Sequence, residues 1–180
     1  ITGEELFNEV FFDQVFVPDD DVVGPVNQGW TVARATLGNE RVSIGGSKGS
    51  LDSITDAELV RLVMTTAAES TELRQEVGQI VAEGHAMQAL NLRNVTRAIT
   101  GGPPGPEGAV TKLLSAEHQQ RASSFAMRVA ADAAISGDDP RFAFNYLFAK
   151  CLSIAGGTSE ITRNIISERI LGMPRDPLAK

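Results

Sequence analysis

Cysteine occurs once in the 180 residues, at Cys151, and histidine twice, at His85 and His118. One thiol excludes an internal disulfide framework and a thiolate metal cage, and two imidazoles are too few for a histidine-rich metal centre. Basic residues are in deficit. Sixteen Lys and Arg against 23 Asp and Glu give a formal net charge of −7. Phosphate neutralisation requires clustered Lys and Arg, so nucleic acid is not expected as a partner. No apolar run approaches the ~18–20 residues that cross a bilayer, so no membrane span is expected. The N-terminus has no basic segment followed by an apolar stretch, hence no secretory signal, and a cytoplasmic location is expected. The chain begins at Ile1 rather than Met, which reads as a segment of a longer protein.

Apolar residues make up 42% and charged residues 22%, enough for a core and against wholesale disorder. At ~100–200 residues per domain, the length fits one domain with a fragment of a neighbour. Phe11, Phe12, Val15, Phe16 and Val17 crowd a stretch that stops at Pro18. Aromatic and β-branched residues suit a pleated surface and Pro cannot extend an interior ladder, so residues 9–17 read as one strand. A lone strand cannot bury itself. Asp19–Asp21 and Gly24-Pro25 then form an acidic turn. Residues 1–25 are therefore assigned to a terminal strand and linker, and 26–180 to a helical domain.

From Gln28 the pattern is helical, with Trp30, Ala33, Leu37 and Ile44 on a weak apolar face before Gly45-Gly46 and Gly49. A short helix is expected over 56–68, carrying Leu59, Leu62 and Val63. A long one follows over 72–99, where Leu73, Val77, Ile80, Gly84 and Met87 recur in steps of four and three. The Gly/Pro-rich run 100–106 ends it. A second long helix is expected over 107–135 with Val110, Leu113 and Leu114 inward, its polar middle, 117–121, only partly buried. Gly137-Asp138-Asp139-Pro140 is a turn, Phe142 to Ile154 another helix, and Ile161, Ile165 and Leu171 a last one closed by Gly172 and Pro174. The expected fold is all-α: an antiparallel bundle of four or more helices preceded by a short N-terminal β-strand.

The most informative stretch is Gly156-Gly157-Thr158-Ser159-Glu160-Ile161-Thr162-Arg163-Asn164-Ile165-Ile166-Ser167-Glu168-Arg169-Ile170-Leu171-Gly172. A double glycine runs into a hydroxyl-capped helix start, where N–H groups and a positive dipole end could receive a phosphate or other polar ligand group. A Thr or Ser in that place is also an ordinary cap. The longer string resembles the C-terminal signature of the acyl-CoA dehydrogenase family. Asn8 to Pro18 is similar to the last strand of that family's middle β-domain, and Asn27-Gln28-Gly29-Trp30-Thr31-Val32-Ala33 to the start of the first helix of its C-terminal domain.

The resemblance implies a flavoprotein domain. FAD would lie between a β-domain and this bundle and reach a neighbouring subunit. The reaction would be α,β-dehydrogenation of an acyl-CoA thioester, with electrons passed on to an electron-accepting redox protein. Many relatives carry the catalytic glutamate directly before Gly-Thr-Ser, where this chain has Gly156. A branch including isovaleryl-CoA-type dehydrogenases places it on the first helix before an arginine, where this chain reads Asn39-Glu40-Arg41. By this resemblance Glu40 is the candidate base and Arg41 a substrate-positioning residue. A carboxylate suits the task if a dry site raises its basicity; most glutamates are instead solvated helix carboxylates. Gly157, Thr158 and Glu160 match the residues that approach the flavin. Trp30 is read as core rather than as a flavin-stacking ring, His85 and His118 as surface or satisfied helix residues, and Cys151 as a small apolar packer. Tyr146 either lines the acyl pocket or only packs.

Two departures stand out. The Arg-x-x-Phe-Gly motif of many relatives, whose arginine meets FAD across the subunit interface, is absent from residues 45–53. The Gln-rich Gly-Gly turn before the last helices is replaced by Ser136-Gly137-Asp138-Asp139-Pro140. A bacterial branch, some of it acting on steroid side-chain thioesters, forms mixed tetramers sharing flavin sites. The expected partners are thus acyl-CoA and identical or related subunits; the alternative is a non-catalytic partner subunit of such a tetramer.

Overall fold

Four short polar side chains set where helices begin. Thr55 and Glu58 form a reciprocal capping box for α2 (Asp56–Thr66): Glu58 N donates to Thr55 Oγ1 at 3.2 Å, and Thr55 N donates to Glu58 Oε2 at 2.9 Å. Ser70 Oγ accepts from Leu73 N at 3.3 Å where α3 (Thr71–Ile99) starts. Asp139 Oδ1 accepts from Arg141 N at 3.1 Å, and Pro140 occupies the first turn of α6 (Pro140–Phe148), where its missing N–H costs nothing. Thr158 Oγ1 accepts from Ile161 N at 3.3 Å and opens α7 (Ser159–Arg169). The remaining helices are α1 (Gly29–Gly46), α4 (Glu107–Ala130) and the short α5 (Asp132–Ser136), with 3₁₀ turns at Asp19–Asp21 and Cys151–Ser153. This computed structural model describes residues 1–3, 5, 8–46, 54–101 and 105–175, without the side chains of 38–46 and 98.

The described residues are all-helical, in agreement with the expected fold class. Residues 9–17, however, are not a strand here. They run without ladder partners among the described residues, and Phe11, Phe12 and Phe16 are more than 80% exposed. A strand is completed by a neighbour that takes its N–H and C=O groups, and none is present among the described residues.

α4 is the central element, packing against α1, α2, α3, α6 and α7. Helices approach closely only past small side chains, and α4 buries Ala109, Ala116, Ala122 and Ala126 with Thr111 and Ser123. The expected inward set Val110, Leu113 and Leu114 is corrected in part: Val110 and Leu113 are half-buried, Leu114 is exposed, and Ala109, Thr111 and Lys112 are the fully buried residues of this stretch. Covered on several sides, α4 lacks the single apolar stripe that marks a surface helix. Its polar middle is half-buried, as expected, with Glu117 paired to Arg163 and Arg121 paired to Glu83. The core proper joins Leu59 and Val63 of α2, Val77 and Ile80 of α3, and Ala122, Phe125 and Ala126 of α4, with Phe142 of α6 against it. Fully burying side chains such as Phe125, Leu59, Ile80 and Val63 stabilises by ~1.5–3 kcal/mol each.

The helix expected over 107–135 breaks at Ala131 (φ 44°, ψ −115°), and α5 then packs on α6. Alanine carries no breaking signal, so tertiary packing overrides propensity there. The helix expected over 142–154 likewise ends at Phe148 and continues as the 3₁₀ turn Cys151–Ser153.

Candidate functional site

The site is built where a loop is held away from α4. Lys112, Ala116 and Gln120 follow at i, i+4 and i+8, one face of the helix. Gln120 Nε2 donates to Ala149 O at 3.2 Å, and Lys112 Nζ donates to Gly157 O. These two side chains fasten both ends of the segment that joins α6 to α7. Ala116, small and between them, leaves room. The result is a cleft of about 310 Å³ lined by Ala116, Glu117 and Gln120, by Ser153 and Ile154 of the loop, and by the first turns of α7. That volume is at the low end of the ~300–1,000 Å³ of ligand pockets, enough for part of a dinucleotide.

Gly156 and Gly157 both have positive φ, 67° and 105°, which glycine adopts without a Cβ penalty. They turn the chain so that Thr158, in extended conformation, caps α7. Thr162, buried, donates its hydroxyl to Thr158 O at 2.8 Å. Glu160 is exposed, and its carboxyl is held below the ordinary range by its own backbone N–H and then by the Thr158 hydroxyl, with Arg163 and Lys112 adding to the effect. The amide of Ile161 is already engaged, by Thr158 Oγ1. The mouth of α7 presents a carboxylate and a hydroxyl rather than a row of open donors. Among the other charged groups of the cleft, Arg163 is paired with Glu117.

Of the residues singled out in the sequence, Gly157, Thr158 and Glu160 are brought together here. Glu40 and Arg41 fall in the second half of α1, which packs on the same α4, and their side chains lie outside the described residues, as do residues 47–53. Trp30 is not core: it is 73% exposed, on a helix whose covering partner is α4 alone among strong contacts. His85 is exposed. His118 is largely buried, its Nδ1 without a hydrogen-bond partner and 3.7 Å from Glu83 Oε2. Cys151 is half-buried, and burial pushes its thiol up. Tyr146 lies under the Lys150 ammonium, 4.4 Å from its ring centre. Sequence reading missed Lys112 and Gln120. The available signal was their i, i+8 spacing around Ala116 in a helix too polar to be explained by packing.

The model of the acyl-CoA dehydrogenase C-terminal domain matches residues 27–171. The chain belongs to the acyl-CoA dehydrogenase family. Acyl-CoA dehydrogenase FadE34 of Mycobacterium tuberculosis is 36% identical over 175 residues, covering 97% of this chain and 24% of that protein. Acyl-CoA dehydrogenase IpdE1 of the same organism is 37% identical over 187 residues, covering 98% of this chain and 46% of that protein. The chain thus spans 24% and 46% of the lengths of these two acyl-CoA dehydrogenases. The solved structure of the Tcur3481-Tcur3483 steroid ACAD superposes with a TM-score of 0.71 at 21% identity, over 92% of this chain and 45% of that one, which shows the shared fold. No helix among the described residues is long and apolar enough to cross a membrane.

Proposed function

We propose that the chain is the C-terminal helical domain of an FAD-dependent acyl-CoA dehydrogenase, a cytoplasmic enzyme that removes the α and β hydrogens of an acyl-CoA thioester. The match over residues 27–171 carries this reading. Residues 1–25 then complete a β-domain, whose sheet would accept residues 9–17 and cover Phe11, Phe12 and Phe16. When bound, the flavin supplies the two-electron acceptor for the β-hydrogen, and an electron-accepting redox protein would reoxidise it.

Glu40 would take the α-proton, a task for which the carboxylate must sit in a dry site that raises its basicity. Gly156 supports this assignment by elimination, since the alternative position has no side chain. Arg41 would orient the thioester beside it. The cleft at α7 supports a hydroxylated ligand portion: Glu160, Glu117, Thr158 and Ser153, whose own hydrogen goes to Lys150 O, can accept hydrogens from a flavin's ribityl or ribose hydroxyls, while the second N–H of Gln120 can donate. It disfavours a diphosphate against Glu160, because that carboxylate is held anionic at the cleft mouth. Gly157 lets the backbone approach.

In the enzyme carrying this domain, Glu40→Gln should keep FAD content and lose ~10²–10⁴-fold in turnover, the scale of a missing general base. Near-normal turnover removes Glu40 from the chemistry. Steroid thioesters belong in the acyl-CoA panel, because the structural relative is a steroid ACAD. The absence of Arg-x-x-Phe-Gly from 45–53 favours a second reading, in which this polypeptide is a non-catalytic partner of a related subunit within a mixed tetramer. Flavin binding and turnover without any second subunit type decide against that.

A further inference from the structure

Lys112 is 2% exposed and is the only charged side chain fully buried among the described residues. Burying an ammonium strips its hydration and costs far more than burying the methionine that would fill the same space. Packing does not account for it. What the lysine does in place is donate to the carbonyl of Gly157, the residue directly before the α7 cap. Gly156-Gly157 is the least restrained dipeptide the chain can offer, and ordering it carries the largest backbone entropy cost. It nevertheless holds two successive positive-φ conformations. Gln120 secures the far end of the same segment at Ala149, 3.2 Å away, and Ala116 between them opens the cleft.

We propose that Lys112 is a positioning residue: by holding the Gly157 carbonyl it fixes the Gly156–Gly157 turn, and so sets Thr158 and the mouth of the cleft for the hydroxylated portion of the flavin. This rests on the reading that the cleft receives the flavin. Lys112 does not itself line the cleft. It acts through the turn, and its charge also bears on Glu160 at the cleft mouth.

The test compares Lys112→Met, which keeps length without a donor, and Lys112→Gln, which keeps a shorter donor. In hydrogen exchange on the 180-residue chain, the amides of Ile161 and Thr162 in Lys112→Met should exchange about ten-fold faster or more, the scale of one lost charge-assisted hydrogen bond. Those of Val63 and Ile80, in the core, should stay within about two-fold, because local opening and global unfolding are separable. Lys112→Gln should fall between. In the assembled flavoprotein, Lys112→Met should need about ten-fold more FAD for half-saturation, with turnover per bound flavin kept within about three-fold. Unchanged amides at Ile161 and Thr162 in both variants, or core amides loosening equally, overturn the positioning role. Cap amides that loosen while FAD affinity holds overturn its ligand half. Ala116→Leu, which fills the cleft without touching the Gly157 carbonyl, tests the underlying reading separately: unaltered FAD affinity there takes the flavin out of this cleft, whereas the amide results on Lys112 stand apart from it.

Discussion

Glu58 ties the start of α2 to the start of α6, and removing it should cost the domain about 1–2 kcal/mol. Its carboxylate accepts from Thr55 N at 2.9 Å and Thr55 Oγ1 at 2.8 Å, completing the capping box, and from Arg141 Nη1 at 2.9 Å, 83 residues away. Arg141 is also gripped by Asp139, through Nε at 3.0 Å and Nη2 at 2.8 Å. The Thr55 backbone N–H, then Arg141, lower the Glu58 carboxyl from 4.5 to about 2. Were all of that displacement interaction free energy, it would amount to roughly 3 kcal/mol. The Arg141 side chain is 43% exposed and that of Glu58 29%, so solvent screening leaves an ion-pair share of ~0.5–1 kcal/mol beside ~1 kcal/mol for the cap. Because the folded value is depressed, the contribution is whole above pH 4.5 and fades as pH falls from 4.5 towards 2. Glu58→Ala should therefore lower Tm by ~2–8 °C at neutral pH, at ~2–4 °C per kcal/mol for a chain of this size. The assay is helical circular dichroism against temperature at pH 7 and pH 3, with the gap between variant and parent narrowing at pH 3. Equal melting at pH 7, or a gap that widens in acid, would refute the reasoning.

Phe125 is the largest fully buried side chain, and Phe125→Ala should cost ~3–5 kcal/mol in urea unfolding; a loss below ~1 kcal/mol would deny it a central place in the core. Thr158→Ala should weaken the α7 start by ~1 kcal/mol, read as faster amide exchange at Ile161 with the α2–α3 core unmoved. Cys151 should react slowly with a thiol reagent at pH 8 and promptly in denaturant, since burial raises its thiol; immediate native-state labelling would contradict that burial.

Much of the fold was legible because local chemistry and tertiary structure agree. Thr158 after Gly156-Gly157 is a start signal written in residue type, and α7 begins where it points. Thr55 with Glu58 and Asp139 with Pro140 are signals of the same kind that the sequence reading passed over, and α6 accordingly begins at Pro140 rather than at the expected Phe142. α3 was readable from the spacing of Val77 and Ile80 on one face. α4 was readable at its start, but neither at its end, which falls at Ala130 rather than at 135, nor in its orientation. Apolar size pointed to Val110, Leu113 and Leu114, whereas close helix approach selects Ala109, Ala116, Ala122 and Ala126, a criterion that depends on neighbours remote in sequence. Ala131 shows the same limit, since nothing in an alanine signals the positive φ at which α4 ends and α5 turns onto α6. Residues 9–17 have strand chemistry, but pairing belongs to two strands and cannot be read from one.

The candidate site divides along the same line. Gly157, Thr158 and Glu160 are contiguous, so a motif could carry them; Lys112 and Gln120 meet that motif only because α4 passes under it. The helix that looks least like a core element is the wall on which the rest depends. Its alanines let the neighbouring helices approach, and its two long polar side chains, Lys112 and Gln120, hold the segment between α6 and α7 at Gly157 and at Ala149. A helix built only for stability would replace Lys112 by an apolar residue, since a buried ion pair or ammonium is seldom the more stable choice. Retaining the cation where it reaches a glycine carbonyl beside a ligand-sized cleft is the pattern expected when geometry at the cleft, rather than stability of the bundle, decides the residue.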